Sequence, residues 1–161
     1  VDFAHFKYIH GTAELPTAEM QWGEWDRSAV VRAKMGTPKG MVDGAITSNS
    51  VGPGQAWVRF TGICETLLVA CIIPVELDEL QVIYCYTQPR EQTEGPMAGL
   101  ARAIIKDVNK QLDQDKVVWD RMRYEPNPII CDGDGPIPQF RQWYSRYYAQ
   151  PQGDTNLRAV G

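Results

Sequence analysis

Residues 98–122, AGLARAIIKDVNKQLDQDKVVWDRM, form the one long helical pattern in the chain. Apolar residues recur there at helical spacing and make one stripe, which consists of Ala101, Ile104, Ile105, Val108, Leu112, Trp119 and Met122. Asp115 falls within the stripe, whereas Asp113 and Asp120 project away from it. A carboxylate on a core-facing line is costly unless it is paired or bound to metal. The pattern therefore predicts a core-packed helix in which Asp115 either binds a metal or pairs with a buried arginine, such as Arg32 or Arg59.

Five strand-like segments precede this helix, at residues 27–35, 41–47, 55–62, 65–74 and 80–87. Their close spacing and tight links, such as Gly52-Pro53-Gly54, are typical of an antiparallel meander. Residues 89–96 are predicted to be a linker, and 11–25 to be irregular. A sheet that curves around one long late helix is an α+β fold of the helix-grip type, with a cavity between sheet and helix.

The chain has two histidines, His5 and His10, and both lie in its first ten residues. Imidazole is the commonest protein ligand for transition metals. Five residues turn an ideal helix through about 500°, so the two rings would diverge by roughly 140° unless the helix ended first. Gly11 indicates that it does, which would let His10 turn toward His5. Asp2 shares a helical face with His5 and could orient its ring through a hydrogen bond.

A catalytic non-heme iron site needs two histidines, one carboxylate and open positions for oxygen. Asp115 is the carboxylate that the apolar stripe singles out, so the sequence favours an iron site made by His5, His10 and Asp115. Two ordinary surface or core histidines near a terminus remain the alternative interpretation of the same residues.

The motif Asp2-x-x-His5-x4-His10, followed by Gln114-Asp115-Lys116 on a late helix, resembles the catalytic domain of Rieske non-heme iron oxygenases. Residues 119–148 resemble the 3-ketosteroid 9α-hydroxylase group, and in part the related cholesterol 7-desaturases. The motifs that carry this likeness are Trp119-x4-Tyr124, Asn127-Pro128, Cys131-Asp132-Gly133-Asp134-Gly135-Pro136 and Phe140-Arg141-x-Trp143-Tyr144-x2-Tyr147-Tyr148. Residues 57–68 fit the same group.

The resemblance implies a START/Bet v 1-like helix-grip domain over residues 1–150 that hydroxylates a 3-ketosteroid with O2. It implies mononuclear Fe(II) on His5, His10 and Asp115, with Asp2 also on the electron path. Electrons would come from NADH through a separate ferredoxin-type reductase and a [2Fe-2S] cluster on a neighbouring subunit of a homotrimer. Such a cluster takes two cysteines and two histidines, and both histidines are already used. We therefore expect the chain to be a fragment that lacks its N-terminal Rieske domain.

Two other functions stay open. The same iron could remove two hydrogens from a sterol, as in a cholesterol 7-desaturase. Alternatively, a helix-grip domain could bind a hydrophobic ligand without any metal, or be an inactive fragment. Product analysis separates the two enzyme activities, and metal content separates both from the third.

Composition sets the remaining expectations. A chain of 161 residues fits one domain, and a net charge of −4 argues against a nucleic-acid partner. No apolar run is long enough for a membrane span, and no signal peptide is recognised.

The four cysteines are scattered along the chain, at Cys64, Cys71, Cys85 and Cys131. Their spacing predicts reduced thiols of a cytoplasmic protein. Residues 138–149 are predicted to be an aromatic-faced helix packed on the sheet, and 151–161 a polar tail.

Overall fold

The computed structural model describes residues 3–11, 18–37, 40–131 and 134–149. Within these residues six strands form one antiparallel sheet, in the order β1-β2-β3-β4-β5-β6. The strands are β1 (Ala18–Trp22), β2 (Asp26–Thr37), β3 (Gly40–Val51), β4 (Gln55–Thr61), β5 (Thr66–Glu76) and β6 (Glu79–Thr87). The α-helices are α1 (His5–Tyr8), α2 (Arg90–Thr93), α3 (Ala98–Trp119) and α4 (Ile137–Tyr144), and a 3₁₀ turn follows at Ser145–Tyr147. The predicted α+β helix-grip architecture is confirmed.

Several predicted boundaries differ from the observed ones. The five predicted strands are present as β2 to β6, but β1 lies in a segment that was predicted to be irregular. The predicted linker at 89–96 contains the short helix α2, and the terminal helix ends at Tyr144 rather than at 149. The long helix ends at Trp119, and Trp119 and Met122 are largely exposed. The apolar stripe thus faces the core only over its N-terminal part, and its C-terminal end is exposed.

The helix α3 packs on one face of the sheet, which we call the inner face. Gln88 Nε2 donates hydrogen bonds to the hydroxyl of fully buried Thr66 at 2.8 Å and to the carbonyl of Ala101 at 2.9 Å. The Tyr86 hydroxyl donates to Asn109 Oδ1 at 2.7 Å. Buried polar groups that are satisfied in this way fix geometry, since an unpaired one would be costly. These bonds set the position of α3 along β6.

The helix α4 packs at the other end of the inner face, next to β1 and β2. Trp143 is 4% exposed, and its Nε1–H donates to the carbonyl of Gly23 at 3.0 Å. The Trp143 ring lies 6.3 Å from that of Trp22, and the Arg27 guanidinium lies 5.4 Å from the centre of the Phe140 ring. The prediction that the aromatic face of this helix packs on the sheet is confirmed.

One row of paired residues crosses the inner face between these two helices. Strand register aligns Arg27, Ser50, Ala56, Ala70 and Tyr84 in this row. Paired residues point to the same side of an antiparallel sheet, and the row spans four strand spacings, or about 19 Å. Its three middle side chains are small. We call it the small-residue row, and since small side chains rise little above the backbone, we expect a shallow floor there.

Three further expectations concern the cysteines, membrane-spanning helices and the C-terminal tail. All four cysteines lie in the described part and are free thiols, as predicted. Among the described residues, no helix has the length and apolar character needed to cross a membrane. The predicted polar tail at 151–161 lies outside the described residues.

We expect Trp143→Ala to lower the free energy of unfolding by about 3–5 kcal/mol, because it removes a large buried ring and the anchor of α4. The matched control is Trp119→Ala, since Trp119 is 47% exposed at the end of α3. This control should lose no more than about 1 kcal/mol. Urea unfolding of both variants measures the difference. Equal losses would contradict the assignment of Trp143 to the core.

Candidate metal centre

The two histidines face each other because α1 is short. The helix ends at Tyr8, and the Ile9 N–H closes it by donating to the carbonyl of His5 at 2.7 Å. Gly11 has φ +72°, a left-handed conformation that glycine adopts without strain. His10 therefore lies beyond the helix, and its ring turns back to within 5.1 Å of the His5 ring at an interplanar angle of 79°.

Asp115 lies opposite both histidines, although more than 100 residues separate it from them in the chain. Its Oδ1 is 3.2 Å from His10 Nε2 and 3.9 Å from His5 Nε2. One ligand atom from each of the three residues lies within 4.8 Å of the others. The side chain of His10 is 4% exposed, that of Asp115 13% and that of His5 24%. The cluster is thus largely enclosed, and its most open side lies at His5.

The donor set fits a divalent transition metal. Two imidazoles and one carboxylate are the ligands of the facial-triad type of non-heme iron site. Metal–ligand bonds of about 2.1 Å at right angles place neighbouring donor atoms about 3 Å apart. The 3.2 Å separation of Asp115 Oδ1 from His10 Nε2 is close to that value, and its 3.9 Å separation from His5 Nε2 is about 1 Å longer. Three donors on one side of a metal leave positions open on the other.

The two arginines named as possible partners of Asp115 pair with other residues. Arg32 pairs with Glu19, and Arg59 pairs with Glu65. Strand alternation puts both arginines on the outer face of the sheet, away from α3, and both are exposed. A metal role for His5, His10 and Asp115 stays a prediction, now supported by their proximity. Asp2, the predicted orienting residue for His5, lies outside the described residues.

Three residues that the sequence analysis did not assign also surround the cluster. Gln114 Oε1 lies 3.2 Å from His10 Nδ1. The Phe6 ring lies 4.5 Å from the His5 ring and 5.6 Å from the His10 ring. Tyr84 projects from the inner face of β6, one inward position before Tyr86. The alternation of tyrosines in β6 could have predicted that Tyr84 faces inward. No local sequence pattern predicts that Gln114 contacts His10.

The Tyr84 phenol lies close enough to Asp115 for the carboxylate to affect its pKa. Burial raises the pKa of Tyr84, and the neighbouring Tyr86 and the Asp115 carboxylate raise it further. A raised pKa keeps the hydroxyl protonated at neutral pH. Tyr84 therefore offers a hydrogen-bond donor at the end of the small-residue row that is closest to the cluster.

Comparison with known proteins gives consistent matches. The family model of the 3-Ketosteroid 9alpha-hydroxylase C-terminal domain matches residues 1–148. The oxygenase component of a 3-ketosteroid-9-alpha-monooxygenase from Rhodococcus rhodochrous is 27% identical over 163 residues, which cover 92% of this chain and 42% of the relative. One from Mycolicibacterium smegmatis is 30% identical over 86 residues, covering 52% and 22%. A cholesterol 7-desaturase from Xenopus laevis is 26% identical over 125 residues, covering 75% and 26%. The chain spans less than half of the length of these relatives.

We expect the chain to bind about one Co(II) per molecule, as a spectroscopic substitute for a divalent metal with nitrogen and oxygen ligands. Asp115→Ala should weaken binding by at least about tenfold, because it removes one of three donors. Asp113→Ala is the matched control, since Asp113 is exposed on the same helix two residues away. Absorption titration under anaerobic conditions measures both. Equal affinity of the two variants would contradict a site at Asp115.

Proposed function

Because the chain belongs to the 3-Ketosteroid 9alpha-hydroxylase C-terminal domain family, we propose that it is the catalytic domain of a Rieske-type oxygenase that hydroxylates a 3-ketosteroid. The observation that carries the proposal is the convergence of His5, His10 and Asp115 within 4.8 Å in a chain that matches this family along most of its length. The names of the relatives support the reaction and the substrate class.

His5, His10 and Asp115 would hold Fe(II) through the two Nε2 atoms and a carboxylate oxygen. Bound iron supplies the activation of O2 beside the substrate. The protein residues enclose it, since His10 is almost fully buried, and they leave access on the side of His5. Asp2, three residues before His5, would hold the His5 ring through its other nitrogen and lie on the path by which electrons arrive.

The remaining parts of the reaction would come from outside this chain. Hydroxylation consumes one O2, two electrons and two protons, and it yields the alcohol and one water. The name oxygenase component, given to the relatives, supports a separate reductase. We propose that NADH feeds the electrons through a ferredoxin-type reductase and a [2Fe-2S] Rieske domain to the iron. A homotrimer would bring the cluster of one subunit to the iron of the next.

The steroid would lie on the small-residue row. The small side chains of Ser50, Ala56 and Ala70 would leave room for a flat, rigid ring system along the inner face. Tyr84 would donate a hydrogen bond at the end near the metal. At the other end the Arg27 Nε is buried and has no hydrogen-bond partner among the described residues, which supports a polar contact with a distal oxygen of the substrate.

A second candidate is sterol desaturation, and the match to the Xenopus laevis cholesterol 7-desaturase favours it. The same three residues would bind the iron, and the substrate would lose two hydrogens without gaining oxygen. A metal-free binding domain is the third candidate. It predicts steroid binding that does not depend on Asp115.

The reaction is tested by supplying the Fe(II)-loaded chain with a Rieske-domain protein, a reductase, NADH and ¹⁸O₂, and either a 3-ketosteroid or cholesterol. A product of the ketosteroid that carries one ¹⁸O supports hydroxylation. A cholesterol product that has lost two hydrogens supports desaturation. If neither steroid is changed while the chain holds its iron and the added redox proteins are reduced and reoxidised, the proposed activity is wrong.

We expect Ala56→Phe to weaken binding of a 3-ketosteroid by at least about tenfold, the effect of roughly 1.4 kcal/mol, because the added ring fills the middle of the row. Gln55→Phe is the matched control, since this neighbouring side chain is exposed and points to the outer face. Tryptophan fluorescence measures the affinity, and Co(II) binding shows whether each variant keeps its fold. Similar steroid affinities for the two variants would contradict binding on the row.

A further inference from the structure

We propose that Gln114 is a positioning residue that fixes the tautomer and orientation of His10, so that Nε2 of this ring is free for a metal. The inference rests on the proposed metal site and goes beyond it, because Gln114 would act on a ligand without being one. It assigns a function to a hydrogen bond between residues 104 positions apart, at 3.2 Å between Gln114 Oε1 and His10 Nδ1.

The His10 ring needs an external support. His10 lies beyond the end of α1, so no helical backbone holds its position. Both of its nitrogens meet α3, with Nδ1 against Gln114 and Nε2 at 3.2 Å from Asp115 Oδ1. Consecutive residues of a helix project about 100° apart, which lets neighbouring side chains reach the two different nitrogens of one ring. The helix α3 thus faces both polar atoms of the ring.

The chemistry of the two nitrogens determines which of them carries the proton in this contact. A neutral imidazole carries one N–H, and its other nitrogen offers the lone pair that binds a metal. A carbonyl oxygen can only accept, so Gln114 Oε1 requires the proton on Nδ1. The lone pair is then on Nε2, the atom that faces Asp115 and lies across from His5 Nε2. Gln114 would therefore preselect the form of His10 that binds metal, as carbonyl and carboxylate partners do for histidine ligands in general.

The opposite arrangement has a distinct chemical consequence. If the amide were turned around, its NH₂ group would donate to Nδ1, and the Nε2 proton would point at Asp115. That tautomer opposes metal binding. Substitutions distinguish the two arrangements, because Glu at position 114 can accept but not donate when ionised, and Leu can do neither. Gln111→Leu is the matched control, since Gln111 lies one turn earlier on α3 and donates to Asp107.

The first measurement is the Co(II) affinity of the wild type and the three variants. We expect Gln114→Leu to weaken binding by about 10–100-fold, the usual effect of losing the partner of a histidine ligand. Gln114→Glu should stay within about threefold of the wild type, because it keeps the acceptor. Gln111→Leu should change affinity by less than about twofold. In the Co(II)-loaded protein, the shifted ring N–H signal of His10 should exchange with water faster in Gln114→Leu only.

The second measurement needs no metal. Long-range ¹H–¹⁵N correlation spectra of the metal-free protein report which ring nitrogen of His10 is protonated. We expect a proton on Nδ1 in the wild type and in Gln114→Glu, whether or not Asp115 holds a second proton on Nε2, and a population with an unprotonated Nδ1 in Gln114→Leu. This readout separates the two proposals, because failure to bind Co(II) would count against the metal site and leave the tautomer result to decide the role of Gln114.

Three outcomes would overturn the inference. One is an unprotonated His10 Nδ1 in the wild-type spectrum, which would mean that the Gln114 amide donates a hydrogen bond to it. Another is an unchanged Co(II) affinity and an unchanged tautomer in Gln114→Leu. The third is an equal loss of affinity in Gln114→Glu and Gln114→Leu, which would mean that the size and polarity of the amide matter rather than its acceptor oxygen.

Discussion

The packing of α3 on the inner face of the sheet is the constraint on which the candidate site depends. Gln88 fixes the start of the helix by joining Thr66 of β5 to the carbonyl of Ala101, and Tyr86 holds Asn109 further along. Six residues of helix beyond Asn109 advance about 9 Å, which brings the helix to Asp115, near Tyr84 of β6. A buried hydrogen bond cannot slip by one residue without leaving a donor unpaired. The sheet therefore determines the position of Asp115 independently of any bound metal.

The N-terminal segment depends on this helix in turn. A helix of four residues is too short to be stable alone, because the entropy lost in forming the first turn exceeds the free energy gained from its hydrogen bonds. The described contacts of His10 with α3 are its interactions with Gln114 and Asp115, and Phe6 packs against both histidine rings. Bound metal would add a strong link between α1 and α3, so metal binding and the order of the first turn would be coupled. Such coupling would let candidate ligands that are distant in sequence act as one unit.

Sequence patterns predicted those features that local rules govern. The spacing of His5 and His10 before Gly11 indicated a helix that ends early, and the apolar stripe of α3 isolated Asp115. β1 was missed because Ala18–Trp22 mixes strand-forming and helix-forming residues, and its pairing with β2 decides its conformation. The exposed end of α3 was missed because periodicity shows which face is apolar and not how far the sheet extends beneath it. The contact of Gln114 with His10 is set by tertiary packing, which no local pattern contains.

The site also separates the groups that would hold the metal from those that would select the substrate. The three candidate ligands lie on α1, on the loop that follows it and on α3, whereas the floor between the helices comes from strands β2 to β5. Residues on paired strands are held rigidly, so a change from Ala56 or Ser50 to a larger side chain alters the shape of the floor without moving Asp115. Under the proposed function, the steroid could therefore change while the candidate metal ligands stay in place. The determinants of specificity would then lie on the sheet, at a distance from the three candidate ligands.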